Sequence, residues 1–355
     1  MARQAQELHQ RGHRVVVVAG RAPAESLTAR LRKLVRTREQ VRCAEPDFQH
    51  FSGSNVDVRV LDPGEVLLRS PKVPRADVVV ATWWETAEWV ASLPSDYGVK
   101  VYYVQGHETY PHLPEMRVRA TYQLRMHKIA VSKWLCEVMA TEYRDRDVSL
   151  APNAVDTRHF DAPPRNRSAN PTVGFIYSWD AIKGVDAVID AIQRTRKSIP
   201  ALRVLAFGAV RPSRNLPLPE GTEFHYRPTQ GSIPGLYARC DAWLFGSRHE
   251  GFGLPLLEAM ACRTPVVGTR AGAASELLAE GRGRVVDVDD SDAMARCLIE
   301  ILRLPKPEWA RVSESCRAEA ERYDWTRCTS AFEAGLNRAL ERARGGECAN
   351  DSHDV

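Results

Sequence analysis

The stretch Asp241-Ala-Trp-Leu-Phe-Gly-Ser-Arg-His-Glu-Gly-Phe-Gly-Leu-Pro-Leu-Leu-Glu-Ala-Met-Ala-Cys-Arg-Thr-Pro-Val-Val-Gly268 indicates how this chain folds. Residues 242–245 are a short apolar run typical of a buried strand, and residues 246–253 form a loop with three glycines. Pro255 suits the first turn of a helix, because its missing N–H would have no partner there. Residues 265–268 favour a second buried strand. The order strand, glycine loop, helix, strand places free backbone N–H groups at a helix N-terminus, where an anion can bind.

Two glutamates carry the chemistry of this stretch. Glu250 lies in the loop and Glu258 about one turn into the helix. A carboxylate accepts hydrogen bonds from paired hydroxyls, as on a sugar or a ribose. Taken singly, Glu258 also suits a helix first turn and Glu250 an exposed loop. Between them lie amides that can hold a phosphate with the help of the helix dipole, those of Gly251, Phe252, Gly253 and Leu254.

The segment Glu250-Gly-Phe-Gly-Leu-Pro-Leu-Leu-Glu258-Ala resembles the donor signature of a known enzyme family. That family is the retaining, nucleotide-sugar-dependent glycosyltransferases of family 4, which have the GT-B fold. Three further segments match in the same order. Ala151-Pro-Asn-Ala-Val-Asp resembles the family's interdomain segment, Ile182-Lys-Gly-Val-Asp186 its phosphate motif, and residues 265–276 its next strand and loop.

The resemblance implies an α/β protein of GT-B type, with two Rossmann-like domains facing a cleft. Residues 1–157 are then the acceptor-side domain and residues 158–325 the nucleotide-sugar donor-binding domain. Residues 326–344 are predicted to form a C-terminal helix that returns to the first domain, and residues 345–355 a disordered tail. The alternation of apolar runs and helical patterns through the second half independently favours a parallel sheet covered by helices.

Composition is that of a globular protein of 355 residues, long enough for two domains. Apolar residues make up 44% and charged residues 26%, and no apolar run approaches the ~18 residues of a transmembrane helix. The eight cysteines lack metal-type spacing, so we expect reduced thiols and a cytoplasmic location. We expect no nucleic-acid partner, because the sequence contains no known reader motif.

The segment 21–42 carries seven basic residues and two acidic ones. Leucines and valines recur in it at helical spacing, which is compatible with a basic amphipathic helix on an anionic membrane surface. The same pattern is compatible with a solvated helix that packs on its own domain. A peripheral location at the inner face of the membrane follows only from the first interpretation.

Lys183 occupies the lysine position of the resembling phosphate motif, from which its side chain would reach a diphosphate as a point charge. The family pattern usually has an arginine five residues earlier, where this chain has Ser178. Arg248, Arg211 or Arg270 are candidates to replace that arginine, and the sequence does not choose between them.

His107 resembles the family's histidine on the acceptor side of the cleft, and it is predicted to be catalytic together with Glu250. Glu108 is an equal candidate beside it. The triplets Asp145-Arg-Asp147 and Asp290-Ser-Asp292 suit a charged turn and a helix N-cap. We therefore predict no metal ion, and no cofactor is expected.

The predicted function is transfer of a sugar from a nucleotide-sugar donor to a glycan, lipid-linked or small-molecule acceptor. A non-catalytic or truncated carbohydrate-binding protein and a sugar-nucleotide epimerase are the alternatives. The family's first strand and glycine-rich turn are not found before the helix at residues 2–11, so we expect them to be encoded upstream of Met1. The donor base, the donor sugar and the acceptor are not specified by the sequence.

Overall fold

The computed structural model describes residues 1–20, 51, 53–62 and 70–350, with side chains described as far as residue 345. The basic segment 21–42, for which membrane contact was one interpretation, lies outside the described residues.

The described elements follow one another as helices and strands in regular alternation. In chain order they are α1 (Ala2–Gln10), β1 (Val16–Gly20), β2 (Asp57–Leu61), β3 (Val78–Ala81), α2 (Trp84–Ser92), β4 (Val99–Val104), α3 (Glu115–Thr121), β5 (His127–Ala130), α4 (Lys133–Glu142), β6 (Val148–Leu150), β7 (Thr172–Ile176), α5 (Val185–Ser198), β8 (Arg203–Gly208), β9 (Glu223–Tyr226), α6 (Ile233–Ala238), β10 (Ala242–Phe245), α7 (Leu254–Ala261), β11 (Val266–Thr269), α8 (Ala274–Leu277), β12 (Gly283–Val286), α9 (Ser291–Arg303), α10 (Lys306–Ala320) and α11 (Trp325–Asn350).

The second domain is built on one parallel sheet of six strands in the order β12-β11-β10-β7-β8-β9. Strands β10 and β11 are buried along their whole length, which explains why they read as uninterrupted apolar runs. The strand order reverses between β7 and β10. In an open α/β sheet, ligands bind at the carboxyl ends of the strands beside such a reversal.

The first domain carries two separate parallel sheets within the described residues, a pair β1-β2 and a four-stranded sheet β3-β4-β5-β6. Strand β1 pairs in register with β2 from Val16 opposite Asp57 to Gly20 opposite Leu61. Four of the five residues of β1 are only half-buried and the last is exposed, whereas every residue of β5 is buried. Within the first domain, β1 is therefore less completely enclosed than β5.

The last helix, α11, lies against the first domain. Phe332 packs edge-on against Tyr103 of β4, with ring centroids 4.8 Å apart. Glu333 accepts a hydrogen bond from His13 at 2.8 Å and also pairs with Arg11. Because α11 follows the second domain in the chain, these contacts fasten the two domains together.

Helix α11 ends later than the sequence suggested. It continues to Asn350, so the prediction of a disordered tail from residue 345 is wrong for residues 345–350. Glycines at 345 and 346 cost a helix only about 1 kcal/mol each relative to alanine, and they do not by themselves end it. Residues 351–355 lie outside the described part of the chain.

Most predicted elements are present with ends displaced by about two residues or fewer, and the fold class is confirmed. Helix α3 was not predicted, because it follows a segment rich in proline and aromatic residues.

The six described cysteines are free. Among the described residues, no helix combines the length and the apolar character that a membrane span requires.

Candidate functional site

The loop between β10 and α7 lies at the carboxyl end of a buried strand, as the sequence predicted. Gly253 caps the helix with φ of 98° and ψ of 57°, a left-handed conformation that favours glycine. Pro255 follows within the first turn, which confirms the predicted helix start. The chain thus turns sharply at Gly253 as it enters α7.

Four successive backbone amides in this loop donate no hydrogen bond within the described residues. They belong to Gly251, Phe252, Gly253 and Leu254. The first three of these residues are buried, and buried N–H groups are almost always paired in folded proteins. The positive end of the α7 dipole points at the same place. The arrangement matches an anion-binding site that a ligand completes.

Lys183 reaches this loop from a neighbouring strand. It ends a short 3-10 turn after β7, in which Asp180 accepts a hydrogen bond from the Ile182 amide at 3.1 Å. Gly184 then takes a left-handed φ of 56°. A Cβ atom at Gly184 would overlap the carbonyl oxygen of Gly246, so only glycine lets the lysine turn pack this closely on the loop.

Lys183 and Glu250, which the sequence assigned to diphosphate and sugar, contact each other directly. The Lys183 Nζ atom lies 2.6 Å from Glu250 Oε1. Ser247 donates a second hydrogen bond to the same oxygen at 2.9 Å. The lysine side chain remains 41% exposed, so it is accessible to a ligand in the cleft.

Glu258 is the second predicted glutamate, and it lies inside α7 facing α6. Its Oε2 atom accepts a hydrogen bond from the hydroxyl of Tyr237 at 2.9 Å, while Oε1 accepts none from the described residues. Burial raises the pKa of Glu258, against the lowering effect of the Tyr237 hydrogen bond and of nearby His159. A pair of hydroxyls donating to this carboxylate would favour its ionised form.

The two domains touch at Gly251. The hydroxyl of Ser132, which also caps α4, donates to the Gly251 carbonyl oxygen at 2.8 Å. A Cβ atom at Gly251 would overlap the carbonyl oxygen of Gln105, at the end of β4. The amide-bearing loop of the second domain is therefore pressed against the strand end that precedes His107.

His107 lies on the first-domain side of this contact and is mostly buried. Its Nε2 atom is 2.7 Å from the hydroxyl of Tyr143. Burial lowers its pKa, against the opposing effect of Glu142, so its imidazole is neutral at pH 7. It therefore acts as a hydrogen-bonding group and not as a cation.

Glu108, the alternative to His107, is 2% exposed and faces the start of α2. It accepts a hydrogen bond from the Trp84 amide at 2.9 Å. Burial raises its pKa to about 7, although the Trp84 amide and Tyr102 oppose the shift. These contacts favour a structural role for Glu108.

The candidates for a second phosphate-binding cation have different surroundings. Arg248 pairs with Asp186 at 2.7 Å and with Asp289 at 2.6 Å, so its charge is already engaged by two carboxylates. Arg211 lies over the ring of Tyr226 at 4.4 Å, at the end of β9. Arg270 is 3.3 Å from Asp287.

Ser178, at the position where the resembling family has an arginine, accepts a hydrogen bond from the Asp180 amide at 3.1 Å. Its hydroxyl therefore shapes the turn that carries Lys183. Within the described residues, none of these candidates contacts Glu250 as Lys183 does.

Both Asp-x-Asp triplets have structural partners. Asp145 binds the Lys128 Nζ atom at 2.6 Å, and Asp147 pairs with Arg338 at 2.6 Å. Asp290 accepts from the Ala293 amide at 2.8 Å, which confirms the predicted N-cap. Within the described residues, no group of three histidine, cysteine, aspartate or glutamate side chains could hold a metal ion.

Sequence reasoning did not find Ser247, Tyr237 or the contact of Ser132 with the glycine loop. Ser247 lies only three residues before Glu250 in the sequence, so their contact could have been predicted. Tyr237 and Ser132 are 21 and 119 residues from their partners, and no local pattern links residues so far apart.

Comparison with known proteins supports a glycosyltransferase. The family model for glycosyl transferases group 1 matches residues 157–319. This range contains the amide loop together with Lys183, Glu250 and Glu258. The match thus falls on the domain in which the free amides and the two predicted glutamates lie.

Two curated relatives carry related activities. Over 249 residues the chain is 31% identical to the phosphatidyl-myo-inositol mannosyltransferase of Mycolicibacterium smegmatis, covering 61% of this chain and 58% of that protein. Over 99 residues it is 33% identical to O-antigen chain mannosyltransferase B of Escherichia coli, covering 28% of this chain and 25% of that protein. The chain therefore spans less than two thirds of the length of either relative.

Solved structures establish the fold over nearly the whole chain. The Anabaena protein Alr3699/HepE, in complex with UDP and glucose, matches with a TM-score of 0.68 and 20% sequence identity. The match covers 92% of this chain and all of that one. The protein thus has the GT-B architecture, with two Rossmann-like domains built on parallel sheets.

Proposed function

We propose that this protein is a retaining glycosyltransferase of family 4. It transfers a sugar from a nucleotide-sugar donor to a glycan, lipid-linked or small-molecule acceptor. The observation that carries this proposal is the row of four amides at residues 251–254, which donate no hydrogen bond to any described residue and lie between Lys183 and Glu258. Similarity to the mannosyltransferases above supports the same reaction class.

The donor's diphosphate binds the four amides and Lys183. In the free protein Lys183 is neutralised by Glu250 at 2.6 Å. A diphosphate that enters the amide loop competes for this ammonium group, and Glu250 is then released to accept hydrogen bonds from the sugar hydroxyls. Donor binding and positioning of the transferred sugar are thereby coupled through one ion pair.

The donor's ribose lies against Glu258. Tyr237 holds one carboxylate oxygen at 2.9 Å and leaves the other for the paired ribose hydroxyls. Because Glu258 is largely buried, each hydrogen bond to it is formed away from water and contributes to donor affinity.

In the chemical step, the bond between the anomeric carbon and the phosphate oxygen breaks as the acceptor oxygen bonds to the same face of the sugar. The acceptor's proton passes to the departing phosphate oxygen, so the protein need not supply a base. The free amides and the α7 dipole stabilise the charge that builds on this phosphate. His107, neutral and hydrogen-bonded to Tyr143, orients the reacting sugar.

No divalent ion is needed in this scheme, because Lys183 and the amides take its place at the diphosphate. Both Asp-x-Asp triplets are occupied by structural contacts. We expect full activity in EDTA, whereas loss in EDTA with recovery on adding manganese would assign a metal to the site.

The direct test is to incubate the purified protein with a panel of nucleotide-sugars and acceptors and to measure free nucleoside diphosphate. The configuration of the new linkage is read by NMR, and retention is expected. Absence of transfer and of donor hydrolysis across the panel would overturn the proposal.

Two substitutions distinguish the proposed contact with the ribose from the proposed contact with the transferred sugar. Glu258→Ala is expected to raise the donor KM at least about tenfold, since a lost hydrogen bond to a charged group costs ~1.5–3 kcal/mol. Glu250→Ala is expected to lower kcat by a similar factor with a smaller change in KM. Glu300→Ala is the matched control, because this exposed carboxylate lies on α9 beside Arg284. Unchanged affinity and rate in both variants would contradict the assignment.

A non-catalytic carbohydrate-binding protein is the second candidate. It is favoured by Ser178 at the position of the family's arginine and by the fixed contacts of Arg248, which leave Lys183 with less cationic support. Nucleoside diphosphate binding without any donor turnover would favour this candidate over the transferase.

We further propose that the protein is cytoplasmic and that segment 21–42 contacts the anionic inner face of a membrane. Co-sedimentation with vesicles containing anionic lipid, lost on neutralising the seven basic residues of this segment, is the expected result. Equal binding to uncharged vesicles would contradict it.

A further inference from the structure

A cluster of three rings crosses the mouth of the cleft beside the proposed catalytic groups. Tyr110 follows β4, and its ring is parallel to that of His112, with centroids 5.9 Å apart and an interplanar angle of 3°. His249 of the second domain, next to Glu250, meets Tyr110 edge-on at 6.4 Å and 86°. Tyr110, His112 and His249 are called the ring cluster below.

The hydroxyl of Tyr110 is free in a region where other tyrosine hydroxyls are bound. Tyr122 donates to the Gly106 carbonyl at 3.0 Å, and Tyr143 bonds to His107 at 2.7 Å. The Tyr110 hydroxyl forms no hydrogen bond within the part of the chain that the structure describes. Its side chain is only partly buried, so an O–H donor is presented to the cleft.

Three carboxyl groups lie close enough to this hydroxyl to influence its ionisation. Burial raises the pKa of Tyr110 to about 12, and Glu108, Glu250 and Asp180 act in the same direction. Tyr110 therefore stays protonated at any physiological pH. The donor's diphosphate is assigned to the amides and Lys183 of the second domain, which leaves this hydroxyl for another part of the substrates.

A ring with an apolar face and a free O–H suits a neutral, polyhydroxylated ring. The aromatic face packs against C–H groups, while the hydroxyl donates to a ring or hydroxyl oxygen. The carboxylates and imidazoles next to it accept from further hydroxyls. Tyr110 belongs to the first domain, whereas Glu250, on the second, is assigned to the donor sugar.

We propose that Tyr110 binds the polyhydroxylated ring of the acceptor and determines acceptor specificity, with His112 and His249 completing the ring cluster. This inference rests on the proposed glycosyl transfer, which it extends from the donor to the acceptor. Because His249 comes from the second domain, the subsite is complete only when the two domains are closed on each other.

Kinetics with two substitutions test the roles of the ring and the hydroxyl. Tyr110→Ala is expected to raise the acceptor KM at least about tenfold, and Tyr110→Phe several-fold, with donor KM and donor hydrolysis changed less than about twofold. A purely structural contact between the domains predicts that Tyr110→Phe behaves as wild type. Met116→Ala, which removes an 83% exposed side chain from the same region, is the matched control.

A binding experiment separates this inference from the proposed function. Saturation-transfer NMR is performed with a panel of methyl glycosides and cyclitols, with and without a nucleoside diphosphate. We expect binding that Tyr110→Ala abolishes and Met116→Ala preserves. If the protein binds a nucleoside diphosphate but no ring ligand in a Tyr110-dependent way, this inference is overturned, whereas the proposed donor site is still supported. If the protein binds a ring ligand in a Tyr110-dependent way but binds no nucleoside diphosphate, the proposed glycosyl transfer is contradicted and the Tyr110 site is retained.

Discussion

The described strands of the two domains differ in how they are joined into sheets. In the second domain six parallel strands form one sheet, and the strand that leads into the amide loop, β10, is flanked by β7 and β11. In the first domain the described strands form a pair and a group of four. Strand β1 has a neighbour on one side only within the described residues.

The residues of the candidate site are also divided between the two domains. Lys183, Glu250 and the free amides lie on adjoining loops of one sheet, where short contacts such as the 2.6 Å ion pair set their positions. The first domain contributes His107, which is held by Tyr143 of its own domain, and Tyr110, whose ring meets His249 of the second domain at 6.4 Å. Donor recognition is thus built into one rigid sheet, whereas acceptor recognition depends on how the domains meet.

Gly251→Ala is the substitution that tests this division most severely. The new methyl group would overlap the Gln105 carbonyl and push the amide loop away from the first domain. We expect activity to fall about 100-fold, because a displacement near 1 Å at a reacting centre has that effect. Donor binding should fall less, since the amides move together with their own sheet.

Gly235→Ala is the control for that experiment. No atom lies within 4 Å of the position its Cβ would take, and alanine is favoured over glycine in a helix by up to about 1 kcal/mol. Wild-type rates are expected. Full activity of Gly251→Ala would show that close domain contact is not required.

Glu108→Gln tests the buried carboxyl of the first domain. The folded protein keeps this proton up to about pH 7, whereas an ordinary glutamate loses it near pH 4.5. Stability from this group is therefore highest below pH 4.5 and declines as pH rises to 7. The glutamine variant, which still accepts from Trp84, should be more stable than wild type at about pH 8 by ~1–3 kcal/mol and unchanged near about pH 4.5.

Denaturant unfolding at the two pH values measures the difference. An equal effect of Glu108→Gln at both values would contradict a raised pKa, and destabilisation at the higher pH would mean that the charge is required there.

Hydrogen exchange compares the two sheets directly. Amides of Val17 and Val18 in β1 are expected to exchange at least about tenfold faster than those of Val266 and Val267 in β11, because local opening is easier at a half-buried strand. Equal protection of the two strands would show that β1 is as firmly enclosed as β11.

Much of the second domain could be predicted from the sequence because its signals are local. A buried parallel strand reads as an apolar run, and the loop between Glu250 and Glu258 carries its glycines and Pro255 in one continuous segment. The sequence placed Lys183 and Glu250 after two strands of the same domain, but their direct contact was not predicted.

The remaining features depend on distant residues or on the absence of a strong local signal. Tyr237 and Ser132 contact the site from other elements, and helix α3 follows a loop of prolines and aromatics. The helical continuation beyond residue 345 was missed because paired glycines resemble a terminus. Local composition does not encode which distant side chain supplies a hydrogen bond, since that is set by packing of the two domains.

The central claim is that the loop at residues 251–254, with Lys183, binds a nucleoside diphosphate. Calorimetric titration of the wild type, Lys183→Ala and the control Lys197→Ala with a set of nucleoside diphosphates tests it most directly. Lys197 is an exposed lysine in the last turn of α5. We predict binding by the wild type and the control, and at least about tenfold weaker binding by Lys183→Ala, since a hydrogen bond to a charged group contributes ~1.5–3 kcal/mol. No binding by the wild type, or equal affinity in Lys183→Ala, would contradict the account.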